Sequence, residues 1–174
     1  MQTHYRLLVV SMAFSLACGC SEKLPDGMPS LHPCQMTITQ EGKPLAGASV
    51  RLHATNGAGN AWLVSGDTNS SGTVSMLTQG QYRGAPEGTY KVTVQKTELV
   101  SLATPEQIAA NEKAKAENPI SYDPIGYDTE LWQLVEEKYI MAESTTLEMT
   151  VSAGKNSATF DVGAAVRVKV EMAE

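Results

Sequence analysis

The chain is short of most things that announce a chemistry. Its 174 residues contain three cysteines, too few for a disulfide scaffold and without the paired spacing of a metal site. Aromatic residues make up only 6% and charged residues 18%. Basic residues are outnumbered and the formal net charge is −6, which argues against a nucleic-acid binder with its basic face. Glycine (14) and proline (8) are at ordinary levels, which excludes collagen-like and low-complexity chains. Beyond the N-terminus no apolar run approaches the ~18 residues that suggest a membrane helix. What the chain does have is 42% hydrophobic residues. That suffices for one core, so the length reads as one domain with appendages.

The N-terminus reads as an address. Met1–Arg6 carries one positive charge, Arg6, and Leu7–Ala17 is an apolar run of eleven residues. That run has the length of a signal-peptide core and is too short for a bilayer span of ~20 residues. No acid occurs before Glu22. Leu16-Ala17-Cys18-Gly19-Cys20-Ser21 follows, with small residues before a cysteine. This resembles a bacterial lipobox, where the peptidase cuts before a lipid-bearing thiol. Two registers fit, with lipid (palmitate) on Cys20 or, alternatively, on Cys18; Cys20 is preferred because a polar stretch follows it. An ordinary secretory signal is the competing reading. Removing residues 1–19 takes away Arg6 and no acid, so the net charge moves from −6 to −7. Residues 20–33, with three prolines, one glycine and no periodicity, read as a flexible tether.

From residue 34 onward the pattern has period 2. Met36 and Ile38 alternate with Thr37 and Thr39; Val50 and Leu52 with Arg51 and His53; Tyr90, Val92 and Val94 with Lys91 and Thr93. Leu147, Met149 and Val151 alternate with polar neighbours, as do Phe160 and Val162, then Val166, Val168 and Val170. One buried and one wet face, with turn residues at Glu41–Pro44, Asn69–Gly72 and Ala153–Asn156, predicts antiparallel strands. Seven or eight such strands predict a β-sandwich.

The pattern breaks at about residues 96–144. Thr104-Pro105-Glu106-Gln107 supplies a helix start, with Thr at the N-cap, Pro at the first position and Gln reaching back. Asn118-Pro119 stops it. Its apolar stripe is weak, which predicts a solvated helix. Ile120–Asp128 reads as an aromatic loop. Leu131, Leu134 and Val135 share one helical face, which predicts a second short helix over 130–138. An excursion of about fifty residues is far longer than a hairpin connection, and reads as a lid or the cover of a sheet edge.

Four motifs in order resemble one family. They are Gly42-Lys43-Pro44-Leu45-Ala46-Gly47-Ala48-Ser49-Val50; Gly66-Asp67-Thr68-Asn69-Ser70-Ser71-Gly72; Gly84-Ala85-Pro86-Glu87-Gly88-Thr89-Tyr90-Lys91-Val92; and Lys138-Tyr139 through Ser144, Leu147 and Val151. Together they resemble transthyretin-like, carboxypeptidase-regulatory-like domains of bacterial lipoproteins, over about residues 35–163. The resemblance implies an all-β, antiparallel, Ig-like (transthyretin-like, prealbumin-like) β-sandwich with a helical insertion before the last strands. It implies no particular activity. These residues read as fold-specifying: Gly72 for a positive φ, Tyr90 facing inward, Asp67 capping its own turn.

Candidate chemistry is sparse. His4, His32 and His53 have no Cys or acidic partner at ligand spacing, so no metal and no cofactor are expected. No nucleophile elbow or zinc-protease motif occurs. The enzymatic branch of the transthyretin superfamily hydrolyses hydroxyisourate and ends in Tyr-Arg-Gly-Ser; here the chain ends Val170-Glu171-Met172-Ala173-Glu174, and Tyr82-Arg83-Gly84 lies in an internal loop. Cys34 reads as a small buried thiol. Tyr122, Asp123, Tyr127, Asp128 and Trp132 bring acids and aromatics onto one loop, which serves either to staple the loop or to bind a ligand. The expectation is therefore a non-catalytic, lipid-anchored cell-envelope module with an unidentified protein or glycan partner. The alternative is a carbohydrate or small-molecule binder that uses loop 121–132.

Overall fold

A computed structural model describes residues 23–55, 62–120 and 126–171. The expected signal segment and its cysteines, Cys18 and Cys20, lie outside these residues, as do Tyr122 and Asp123. In chain order the strands are β1 (Leu31–His32), β2 (Cys34–Gln40), β3 (Lys43–Pro44), β4 (Ser49–Ala54) and β5 (Val64–Asp67). Then come β6 (Thr73–Ser75), β7 (Leu77–Thr78), β8 (Tyr82–Arg83), β9 (Ala85–Pro86) and β10 (Gly88–Gln95). β11 (Thr97–Ser101), helix α1 (Pro105–Glu117), β12 (Thr129–Gln133), β13 (Glu148–Val151), β14 (Asn156–Asp161) and β15 (Val168–Val170) complete the described chain.

The protein is all-β apart from α1 and a 3-10 turn at Glu137–Tyr139. One sheet has the order β13-β10-β4-β5-β7-β8; a second has the order β14-β2-β3, with β6 also on β2. The alternation read from the sequence is what joins them. Met36 and Ile38 of β2 and Val50, Val64, Val92 and Val94 of β4, β5 and β10 are fully buried in one shared cluster. Tyr90 joins them, and its hydroxyl donates to the Pro86 carbonyl at 2.7 Å, so the ring is buried without orphaning its polar end. Gly72 has φ 73° and its carbonyl accepts from the Ile38 N–H; a Cβ there would stand 2.6 Å from the Ile38 carbonyl oxygen. Its turn is capped by Asn69, whose Oδ1 accepts from the N–H groups of Ser71 and Thr73. Asp67, expected in that role, lies instead in β5, opposite Ser49.

Four further features depart from the expectations. The described residues hold fifteen strand segments rather than seven or eight, because chain folded as turns also forms two-residue bridges. Not every pair is antiparallel: β14 pairs β2 in parallel, from Asn156 opposite Cys34 to Asp161 opposite Thr39. β13 runs towards the end of the body where β2 begins, and the turn after it crosses to the other sheet, so β14 and β2 start side by side. The tether is shorter than expected, since Leu31 and His32 pair with Pro86 and Ala85. Residues 129–133 form a strand rather than a helix, between β11 and β15. The ladders on both sides override a helical spacing that lacked a capping residue.

Candidate functional site

β2 and β10 both run from a proximal end, at Cys34 and Gly88, to a distal end, at Gln40 and Gln95. Seven residues of β2 separate the two ends by about 20 Å. Each end carries a distinct candidate surface.

The distal end bears the three-stranded sheet β11-β12-β15, whose strands pair with no strand of the two main sheets. It is tied on by backbone contacts: the Leu134 N–H donates to the Lys96 carbonyl, and the Gln40 amide donates to the Leu134 and Ala164 carbonyls. Asp161 organises the neighbouring turn. Its carboxylate accepts from the Gly42 and Gly163 N–H groups and from the Thr39 hydroxyl, each at 2.8 Å. The Gly42 N–H, then Thr39 and Gly163, hold this acid below the usual carboxylate range.

Trp132 is half-buried on one face of this distal sheet, opposite Glu98 on β11 and Lys169 on β15. The Arg167 guanidinium lies 4.7 Å from its ring centroid and 3.4 Å from Glu98. Lys169 meets Glu130 at 2.9 Å. That ammonium is the main reason the Glu130 carboxyl sits below its ordinary range; the indole contributes less, and its buried Nε1–H makes no hydrogen bond to any described residue. The other face is apolar and open, with Leu99 66% and Val168 58% exposed.

Helix α1 belongs to this region. The capping box forms as expected: Gln107 N–H donates to Thr104 Oγ1 and Thr104 N–H donates to Gln107 Oε1. Asn111 is the one buried position of the helix. Its amide donates to the Tyr127 hydroxyl, which donates to the Gln107 carbonyl. Tyr127 thus fastens the loop to the helix. Asp128 is exposed, and its carbonyl accepts from the Leu102 N–H. The described members of the expected binding loop are therefore not gathered around one space: Tyr127 faces the helix and Trp132 sits under Arg167.

The proximal end holds an open-mouthed cavity of about 780 Å³. Pro33 and Cys34 from the start of β2, Met76 and Arg83 from the β6–β8 region, and Lys155 and Ser157 beside β14 line it. No carboxylate is among its lining residues. Sequence reading missed this site because Arg83 and Lys155 lie far apart in the chain and belong to no shared pattern. Nearby, His32 pairs with Glu87 at 3.2 Å, and its Nδ1 accepts from the Gly154 N–H. Cys34 is 4% exposed with its thiol 3.7 Å from the Met149 sulfur, and burial pushes its pKa up to about 11. A thiol kept protonated is a poor nucleophile and a poor metal ligand. His53 Nε2 lies 3.0 Å from the Thr93 hydroxyl on the outer face of the larger sheet, beside Arg51 in a shallow depression of about 80 Å³.

Among the described residues no group of three or more His, Cys, Asp or Glu is placed to hold a metal ion. No described helix is long and apolar enough to cross a membrane. No family model, no curated protein and no solved structure matches the chain.

Proposed function

We propose that this chain is a lipid-anchored, non-catalytic module of the bacterial cell envelope, built on a transthyretin-like, carboxypeptidase-regulatory-like β-sandwich. The observation that carries the reading is the Leu16–Ser21 segment, with small residues leading to Cys18 and Cys20 behind an apolar run of signal-peptide length. The arrangement of the body agrees with it. The chain enters at the proximal end, at Leu31 and Pro33, while the distal sheet and α1 are attached about a strand length away. A protein held by residue 20 presents that distal unit, with its exposed Leu99 and Val168, away from the anchor. The part it plays there is accessory or structural, through contact with an envelope protein or glycan.

The anchor is tested by metabolic labelling with a fatty acid. Cys20→Ser is expected to abolish lipid incorporation and release the protein from the membrane fraction. Incorporation that survives Cys20→Ser and vanishes with Cys18→Ser moves the attachment to Cys18. Incorporation that survives both changes refutes a lipid on either residue.

A further inference from the structure

The proximal cavity combines features that the anchored-module reading does not use. Its volume of about 780 Å³ lies in the range of small-molecule sites. Its walls are fixed by backbone bonds: Met76 N–H to the Cys34 carbonyl, Gly84 N–H to the Met76 carbonyl, and Asn156 N–H to the Pro33 carbonyl, at 2.8–2.9 Å. The cavity is therefore preorganised rather than a gap between mobile loops.

Its charge is the reverse of the chain's. The whole protein carries −6, yet among the described residues that line the cavity the ionisable groups besides Cys34 are Arg83 and Lys155, both cations. Several other cations have a carboxylate at hand: Lys91 with Glu148, Lys138 with Glu136, Arg167 with Glu98 and Lys169 with Glu130. Among the described residues Arg83 and Lys155 have no such partner. The nearest acid in sequence to Arg83, Glu87, is engaged by His32. Gln35, Ser75 and Ser157 also line the cavity, and their side chains make no hydrogen bond to any described residue. A guanidinium fork, an ammonium, two hydroxyls and an amide offer more donors than the two oxygens of a carboxylate accept. A phosphate ester, with its additional acceptor oxygens, matches that set.

We propose that the proximal cavity binds a phosphate-ester anion through Arg83 and Lys155, with Ser75, Ser157 and Gln35 completing its coordination. Cys34 and Met76, 4% and 1% exposed, turn their side chains into the core, so the wall presents Gln35, Ser75 and Ser157, and the organic part of the ester lies towards the open mouth. Two sources carry this chemistry: a soluble phosphate ester and the headgroup of an anionic phospholipid. The second rests on the anchored reading. Leu31, where the chain joins the body near the cavity, is eleven residues after Cys20, a reach of up to about 40 Å for extended chain, so an anchored protein can bring its cavity to the bilayer.

The test is a titration of the full chain with inorganic phosphate and with glycerol 3-phosphate, followed by amide NMR. Saturable shifts are expected at Ser75, Gly84 and Ser157. R83Q/K155Q is expected to weaken binding at least about tenfold, or 1.4 kcal/mol, while K43Q/K115Q, with the same charge change away from the cavity, leaves it unaltered. Thermal midpoints of both double variants, measured alongside, identify any loss of folding, and a K155Q single variant stands in if R83Q/K155Q unfolds. Absence of saturable shifts at the cavity overturns the proposal, and so does equal weakening by the two double variants. Co-sedimentation with phosphatidylcholine vesicles, with and without phosphatidylglycerol, then separates the sources. Sedimentation that needs phosphatidylglycerol and is displaced by glycerol 3-phosphate assigns the lipid headgroup; cavity binding without sedimentation assigns a soluble ester. Lipid labelling at Cys20 is scored independently, so loss of the anchor and loss of the anion site are distinguishable.

Discussion

The two-sheet body and the distal unit of β11, α1, β12 and β15 are held together by different forces. In the body Met36, Ile38, Val50, Val64, Val92 and Val94 are fully buried, each removing apolar surface from water at about 25 cal/mol per Å². In the distal unit Leu99, Leu102, Ile108 and Val168 remain exposed. Its cohesion comes from strand ladders, the Tyr127 contacts with α1 and the charged surround of Trp132. Surface ion pairs contribute only about 0–1 kcal/mol each. One molecule thus carries a body governed by packing and an appendage governed by polar contacts, and the appendage is expected to open at lower free energy.

The largest effect is expected from Ile38→Ala. Removing a fully buried side chain from the shared cluster should cost about 2–5 kcal/mol, read as a lower urea midpoint. Hydrogen exchange in β11 and α1 should barely change, because those amides exchange through local opening. An equal loss of protection in both regions would show that they form one cooperative unit, and the contrast would fail.

Trp132→Ala sharpens the contrast from the other side. The ring is half-buried, so roughly half the usual cost of a core aromatic applies, about 1.5–2.5 kcal/mol. The loss should appear as faster exchange in β11, β12 and β15, with the urea midpoint of the body unchanged. A variant that keeps that protection but loses affinity for an added oligosaccharide would assign Trp132 to a binding surface instead. Tyr127→Phe is expected to be milder. It removes the hydroxyl shared by Asn111 and Gln107, at about 0.5–1.5 kcal/mol, seen as faster exchange in α1 alone.

The same division explains what the sequence revealed. The body is legible because alternation is local: Val50 and Leu52 against Arg51, or Val92 and Val94 against Lys91, declare a buried face within a few residues. Helix α1 is legible because Thr104, Pro105 and Gln107 carry its start signal within one turn. β12 is not, because Leu131, Leu134 and Val135 fit a helical face and only the distant β11 and β15 decide for a strand. The parallel pairing of β14 with β2 joins residues more than a hundred positions apart. The proximal cavity has the same origin, since Arg83 and Lys155 meet only through the crossing from β13 to β14. Of the expected binding loop, Tyr127 and Trp132 carry visible aromatic signals, but their separate partners are set by tertiary contacts.

The gentlest probe of the contrast is pH. Lys169 holds the Glu130 carboxyl below its usual range, and Glu130 in turn holds the Lys169 ammonium above its own. As pH falls, an unfolded or opened sheet takes up the Glu130 proton first. The pair's contribution is therefore present above the unfolded carboxylate value of ~4.3 and is lost as pH falls through the lower folded value. For Lys169 the sign reverses: the contribution is present below the unfolded value of ~10.4 and is lost as pH rises through the higher folded one. Cys34 in the body has only an alkaline flank. Its thiol is raised from 9.0 to about 11, so the unfolded chain ionises first and stability falls as pH climbs through that window. Protection factors in β12 and β15, taken relative to the intrinsic exchange rate at each pH, should then fall on acidification below about pH 4, and Glu130→Gln should remove the part of that dependence that belongs to the pair. Acid sensitivity at the Asp161 turn, which has its own lowered carboxyl, should survive the substitution. If Glu130→Gln left the acid response of β12 unaltered, the ion pair would not be among the contacts that hold the distal sheet, and its ladders and the Trp132 stack would account for it.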